Sequence, residues 1–158
     1  MKNLIPFLLV ILLSLVSCNE NVVYTEYQDL QDQAWIVDSV LSFGFEINDL
    51  QSDYNIDYGV RYAVDYPYYN LYVKFCLADA TGKELTDWIR IDKNLMHPVT
   101  GAPFGNGLGD LFDIQFSALP NFKFDKKGKY YFKIRQDMRL DKLPAIAAVG
   151  VKVEKTNN

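Results

Sequence analysis

The 158-residue chain holds a single histidine and two cysteines, which leaves little material for a metal centre, a disulfide framework or a cysteine-histidine catalytic pair. Basic charge is scarce too. Sixteen Lys and Arg face 20 Asp and Glu, a formal charge of -4, so there is no basic field to hold a phosphate backbone and nucleic acid drops out as a partner. Long apolar runs are missing as well. Leu4 to Val16 stretches over thirteen residues, short of the roughly 20 that cross a bilayer. There is no internal repeat, no low-complexity segment, no second-domain linker and no amphipathic helical window longer than a turn. What is present is 49% hydrophobic and 15% aromatic residues, the composition of one globular domain and not of a disordered chain.

The first apolar run follows a lone Lys2 and ends in small residues, the architecture of a signal peptide. Its end, Leu15-Val16-Ser17-Cys18, resembles the bacterial lipobox. That resemblance implies cleavage after residue 17, acylation of Cys18 and a lipid-anchored domain over residues 18–158. Removing residues 1–17 takes away only Lys2 among the charges, so the mature chain carries 15 basic and 20 acidic groups and keeps one thiol, Cys76. One cysteine forms no internal disulfide, so the fold has to hold by its core. Only Asn19, Glu20 and Asn21 separate Cys18 from the next apolar stretch, which puts the body within about 15 Å of the lipid. Asn19 is not the Asp that in many bacteria marks inner-membrane retention; the resemblance therefore points to the outer membrane, and a single early acid, Glu20, to its periplasmic face.

Past the tether the chain reads as strands. From Tyr54 to Asp65, Tyr54, Ile56, Tyr58, Val60, Tyr62 and Val64 alternate with Asn55, Asp57, Gly59, Arg61, Ala63 and Asp65, the period of a half-buried strand. The same template fits Val22–Tyr27, Leu41–Ile47, Leu71–Leu77, Leu85–Ile91, Phe112–Ala118, Tyr130–Met138 and Ala147–Val153. About eight strands result, and the fold class is all-β. Asp79-Ala80-Thr81-Gly82 and Asp125-Lys126-Lys127-Gly128 share an Asp-x-x-Gly pattern that predicts two tight hairpins. Strands with one polar face each bury best as two antiparallel sheets face to face, so a β-sandwich is expected, with a closed β-barrel as the alternative.

The longest interruption runs from Lys93 to Asp110 and holds four of the nine glycines and two of the six prolines. A connection of that length without regular structure of its own is often functional, which makes His97, Phe104, Asn106 and Asp110 candidate partner-binding residues. Gly105-Asn106-Gly107-Leu108-Gly109 lacks the spacing and the following helix of a phosphate cradle. Nearby acids fall short of a calcium ligand set, so no metal is expected. Cys76, between Phe75 and Leu77, reads as a small buried hydrophobe. No catalytic residue and no cofactor beyond the lipid are assigned. Tyr66-Pro67-Tyr68-Tyr69-Asn70 places three rings around a proline turn at a sandwich edge, and Tyr66, Tyr68 and Tyr69 join the candidates as a platform for a protein or a sugar. The ridge Met138 to Pro144 adds Arg139 as part of a docking rim.

The lipobox Cys18, Trp35 in an early strand, Tyr66 to Tyr72, Gly105 to Asp110 and Gln136-Asp137-Met138-Arg139 leading into Val149-Gly150-Val151 together resemble the gliding-motility lipoprotein family GldH of the Bacteroidota. The likeness covers essentially the whole chain. It departs at Ala145-Ile146-Ala147-Ala148, where members of the family tend to have a glycine. The resemblance implies a cell-envelope lipoprotein that supports gliding motility and type IX secretion, partnered by envelope proteins of that machinery and without enzymatic activity.

Overall fold

The computed structural model describes residues 21–156. The signal-peptide and lipobox readings, Cys18 included, lie outside the described residues. Among the described residues eleven strands follow one another: β1 (Val22–Asp29), β2 (Ala34–Ile36), β3 (Leu41–Ile47), β4 (Tyr54–Ala63), β5 (Asn70–Asp79), β6 (Ile89–Asn94), β7 (Asn106–Leu108), β8 (Leu111–Phe122), β9 (Gly128–Gln136), β10 (Lys142–Pro144) and β11 (Ile146–Lys155). They form a five-stranded antiparallel sheet, β1-β11-β4-β8-β7, facing a four-stranded one, β3-β9-β5-β6, with a two-stranded ribbon of β2 and β10. Neither large sheet closes on itself, so the architecture is the sandwich and not the barrel. The count exceeds eight because β2, β7 and β10 have three residues each, too few to show a period.

Alternation sets the core. Tyr54, Ile56, Tyr58, Val60 and Tyr62 of β4 are all buried, and Phe43, Phe45, Phe75 and Phe132 meet them from the other sheet. Ring pairs span the interface: Tyr58 lies 6.3 Å from Phe75, which stacks on Phe132 at 5.2 Å. Burying rings of this size supplies most of the stabilisation in a domain without a disulfide. On the opposite side of the larger sheet, Tyr27 lies flat over Gly59 and Gly150; a Cβ on Gly59 would fall 2.0 Å from its hydroxyl oxygen. Glycine at these two strand positions makes room for a ring.

Several sequence expectations fail for local reasons. Val64 lies beyond the end of β4 and is 47% exposed, because the chain turns at Ala63 to donate Tyr66 N–H to the Ala63 carbonyl. Leu85 is exposed outside β6, and Met138 follows the end of β9. Ala147 is only half-buried, since a bulge between Ile146 and Ala148 shifts the register against β4. The Asp79 turn does lie between the neighbouring strands β5 and β6. The Asp125 turn forms no hairpin, because β8 and β9 belong to different sheets. Phe124 explains the crossing: its buried ring packs on Tyr54 at 5.4 Å, Phe122 at 4.9 Å and Tyr130 at 4.5 Å, drawing the chain across the end of the sandwich.

The register defines two poles. At one, Lys155 donates its N–H to Asn21 and stands opposite Tyr54, which stands opposite Phe122. Asn21 is the first described residue, so this end is the N-terminal pole. Ten residues of β4 separate that row from Ala63, about 30 Å away. At this distal pole the β2–β10 ribbon seals the core with Trp35, fully buried, its indole N–H donating to the Ser39 carbonyl at 3.2 Å. Next to the ribbon Ala145 takes φ +62, a left-handed conformation that glycine adopts more readily.

Candidate functional site at the distal pole

The connection Lys93 to Asp110 has regular structure of its own, contrary to expectation. After β6 it folds into a compact excursion: Met96 bridges Pro103, His97 N–H donates to Ala102 O and Phe104 N–H to Leu95 O, each at 2.8 Å. Its last part is β7, which turns through Gly109 at φ +66 into β8. A Cβ at Gly105 would meet the Asp113 carbonyl at 2.2 Å and one at Gly107 the Phe112 ring at 2.3 Å. The glycines serve close strand packing, the structural counterpart of the missing phosphate-cradle spacing.

Two stitches hold this excursion down, one to the Tyr66 to Asn70 segment and one to β4. The Tyr69 carbonyl accepts the N–H groups of Leu95 and Met96 at 2.8 and 2.9 Å. The buried Tyr62 hydroxyl points between the carbonyls of Leu95 and Phe104 and donates to one of them at a time. Burial pushes its pKa up, so it stays a donor.

The candidates divide. Tyr66 is 4% exposed; its ring packs on Tyr62 at 6.3 Å and its hydroxyl donates to Asn70 O at 2.9 Å, so it is core and not platform. Tyr68 and Tyr69 are 37% and 49% exposed. His97 is exposed, but its Nδ1 accepts the N–H groups of Val99 and Thr100, both at 3.2 Å, and its ring meets the Phe104 edge. That nitrogen therefore shapes the turn. Asn106 pairs with Asp113 along β7, and the Asp110 carbonyl accepts Val64 N–H at 2.8 Å while its side chain stays exposed. Cys76 is fully buried in β5; burial first, and the nearby Glu84 carboxylate second, push its thiol up to about 11. A protonated thiol is a poor nucleophile at neutral pH.

Tyr68 and Arg139, 71 residues apart, meet in one cleft of about 450 Å³ with Tyr72, Arg90, Asp137 and Met138. The Arg90 guanidinium lies 4.1 Å over the Tyr72 ring and pairs with Asp137, which Lys74 also reaches at 2.9 Å. Burial alone would raise the Asp137 pKa, but the hydrogen bonds from Lys74 and Arg90 outweigh it and hold the carboxyl below the usual range. Arg139 is exposed and has no partner among the described residues. Two cations thus hold one carboxylate, and a third, Arg139, lines the same cleft unpaired beside two phenol rings, a surface suited to an anionic or amphipathic group. Tyr72 and Arg90 were not singled out from the sequence; their outward alternation with Leu71, Val73, Ile89 and Ile91 was visible, their meeting was not.

A family model described as GldH lipoprotein matches residues 22–153. A "Gliding motility lipoprotein GldH homolog" of Christiangramia forsetii is 31% identical over 90% of this chain and 89% of its own. The "Gliding motility lipoprotein GldH" of Flavobacterium johnsoniae is 28% identical over 94% of each. Among solved structures, one of infectious bursal disease virus Gx strain aligns over 82% of this chain and 31% of its own at 11% identity and a TM-score of 0.39. An arabinose-bound α-L-arabinofuranosidase aligns over 88% of this chain and 23% of its own at 9% identity and a TM-score of 0.37. This chain therefore spans less than a third of either solved chain, whereas its match to the two lipoproteins covers about nine-tenths of each chain. By the family match over residues 22–153 and by that 31% identity, the chain belongs to the GldH lipoprotein family.

Proposed function

We propose that this lipoprotein is a non-enzymatic docking module, held through acylated Cys18 on the periplasmic face of the outer membrane, that acts as an adaptor or assembly factor for the gliding-motility and type IX secretion machinery. One observation carries the reading. Asn21, three residues from Cys18, lies at one pole, and the Tyr68–Arg139 cleft with its exposed rings lies at the other, about 30 Å further out. A module so arranged presents its adhesive end away from its tether. Tyr and Arg are the residue types that most often anchor interfaces. The names of the two lipoprotein relatives support the gliding-motility part of the reading, and the cleft supports the docking surface.

The test is photo-crosslinking in intact cells from Tyr68 and Arg139, with Lys127 at the N-terminal pole as the comparison. Envelope proteins of the motility or secretion machinery are expected from the two distal positions. Adducts from Lys127 alone, or none at all, overturn the reading. A second reading, a glycan- or peptide-binding module, draws on the Tyr68 and Tyr72 rings, since phenol faces stack on sugars. A glycan array separates the two: an adaptor leaves it blank.

A further inference from the structure

The N-terminal pole carries a charge pattern that the adaptor reading does not use. Lys123, Lys126 and Lys127 stand exposed on the crossing from β8 to β9, and Lys83 reaches the same place from the β5–β6 turn. Lys83, Lys123 and Lys126 line one cleft of about 340 Å³ whose floor includes Leu85 and Phe122. Two acids are close: Asp125, and Asp79, whose carboxylate accepts the N–H groups of Thr81 and Lys83 at 2.9 and 3.1 Å and keeps its charge. Four lysines thus face two carboxylates. In a chain with a formal charge of -4, this is a local inversion of sign.

The register fixes where this patch lies. From Asn21 to Lys155, Tyr54 and Phe122 is three strand spacings, about 14 Å, so the lysines rise on the pole from which the chain leaves toward Cys18. Three residues of tether reach at most about 11 Å. Whatever surface receives Cys18 therefore lies within reach of flexible lysine side chains, and each such contact with an anionic bilayer is favourable and falls off over a screening length of about 10 Å.

We propose that the Lys83–Lys123–Lys126 cleft seats phosphate groups of anionic lipids in the bilayer that holds the tether, standing the sandwich upright with its distal cleft outward. The proposal rests on the lipid-anchor reading. The acyl chains hold the protein at the surface; the lysines set its orientation there. Leu85 and Phe122 give the floor an apolar strip against which the glycerol backbone of a lipid packs.

The test uses the acylated full chain in vesicles. A fluorophore at Lys127→Cys labels selectively, because the Cys76 thiol is buried and Cys18 is blocked by acylation. A matching label at Leu108→Cys reports the distal pole. Quenching by a headgroup spin-labelled lipid is measured in phosphatidylcholine vesicles with and without phosphatidylglycerol. Stronger quenching at position 127 than at 108 is expected only with phosphatidylglycerol. It should be lost at high salt, where the screening length falls to about 3 Å, and lost in Lys83→Glu/Lys123→Glu/Lys126→Glu, with the melting profile and vesicle attachment retained. Equal quenching at both poles, or quenching at 127 indifferent to lipid charge and salt, overturns the proposal. Failure of the acylated chain to sediment with any vesicle overturns the anchor reading instead.

Discussion

The two poles of the sandwich are closed by different means. At the N-terminal pole an aromatic plug, Phe124 among Tyr54, Phe122 and Tyr130, is rimmed by lysines. At the distal pole a ribbon and a hydrogen-bonded excursion sit over Trp35 and Tyr62, rimmed by arginines and exposed phenols. Lysine is a strongly hydrated point charge suited to diffuse contact with a lipid surface. Arginine is planar, weakly hydrated and stacks on rings, as Arg90 does on Tyr72, which suits a defined protein or glycan contact. The distal cleft sets arginine against phenol rings, with Lys74 on Asp137, whereas the N-terminal cleft is lined by lysines without arginine among the described residues.

The comparison breaks most completely at the tether. Cys18→Ala should abolish acyl labelling and release or mislocalise the protein, read by metabolic lipid labelling and cell fractionation; attachment that persists removes the distinction between poles. Trp35→Ala should cost about 3–5 kcal/mol, measured by denaturant unfolding, because it empties the distal seal. Tyr62→Phe should cost about 1–3 kcal/mol and expose residues 95–104 to proteolysis before the rest of the chain, since it removes the hydroxyl that pins the excursion. Ala145→Gly should raise stability by about 0.5–1 kcal/mol, seen as a higher melting temperature, by relieving the left-handed backbone there.

The smallest effect belongs to the N-terminal pole and depends on pH. Lys155 first, then the Gln51 N–H and the Ser52 hydroxyl, hold the Asp49 carboxyl well below the usual carboxylate range. A depressed folded-state pKa contributes stability that is fully present above the unfolded value of about 3.9 and is lost as pH falls through the folded one. Asp49→Asn should therefore flatten the acid limb of stability against pH below about pH 4 and leave neutral behaviour little changed. An unaltered acid limb would remove this pair from the account of the pole.

How much of this was legible in the sequence varies by scale. β4 could be read almost residue by residue, because an antiparallel strand with one buried face writes its own period. The Asp125 to Gly128 turn reads as a hairpin in the sequence but is a crossing, since its turn pattern is the same whether the next strand joins the same sheet or the other. Tyr66 was assigned to the surface because a proline turn usually sits there; the neighbouring Tyr62 and the Asn70 carbonyl draw it inward. Arg139 and Tyr68 both stand out in the sequence, yet nothing local says that they share a cleft, and Arg90, which pairs there with Asp137, comes from β6.

The sequence by itself determined the strand content, the alternating faces, the family and an expected attachment point at Cys18, because these are written in period, composition and short motifs. The tertiary structure alone decided which ends of which strands meet. Long-range pairing of β1, β11, β4 and β8 puts Asn21 and the lysines that follow β8 at one pole, and pairing of β5 with β6 and β9 gathers Tyr68, Tyr72, Arg90 and Arg139 at the other.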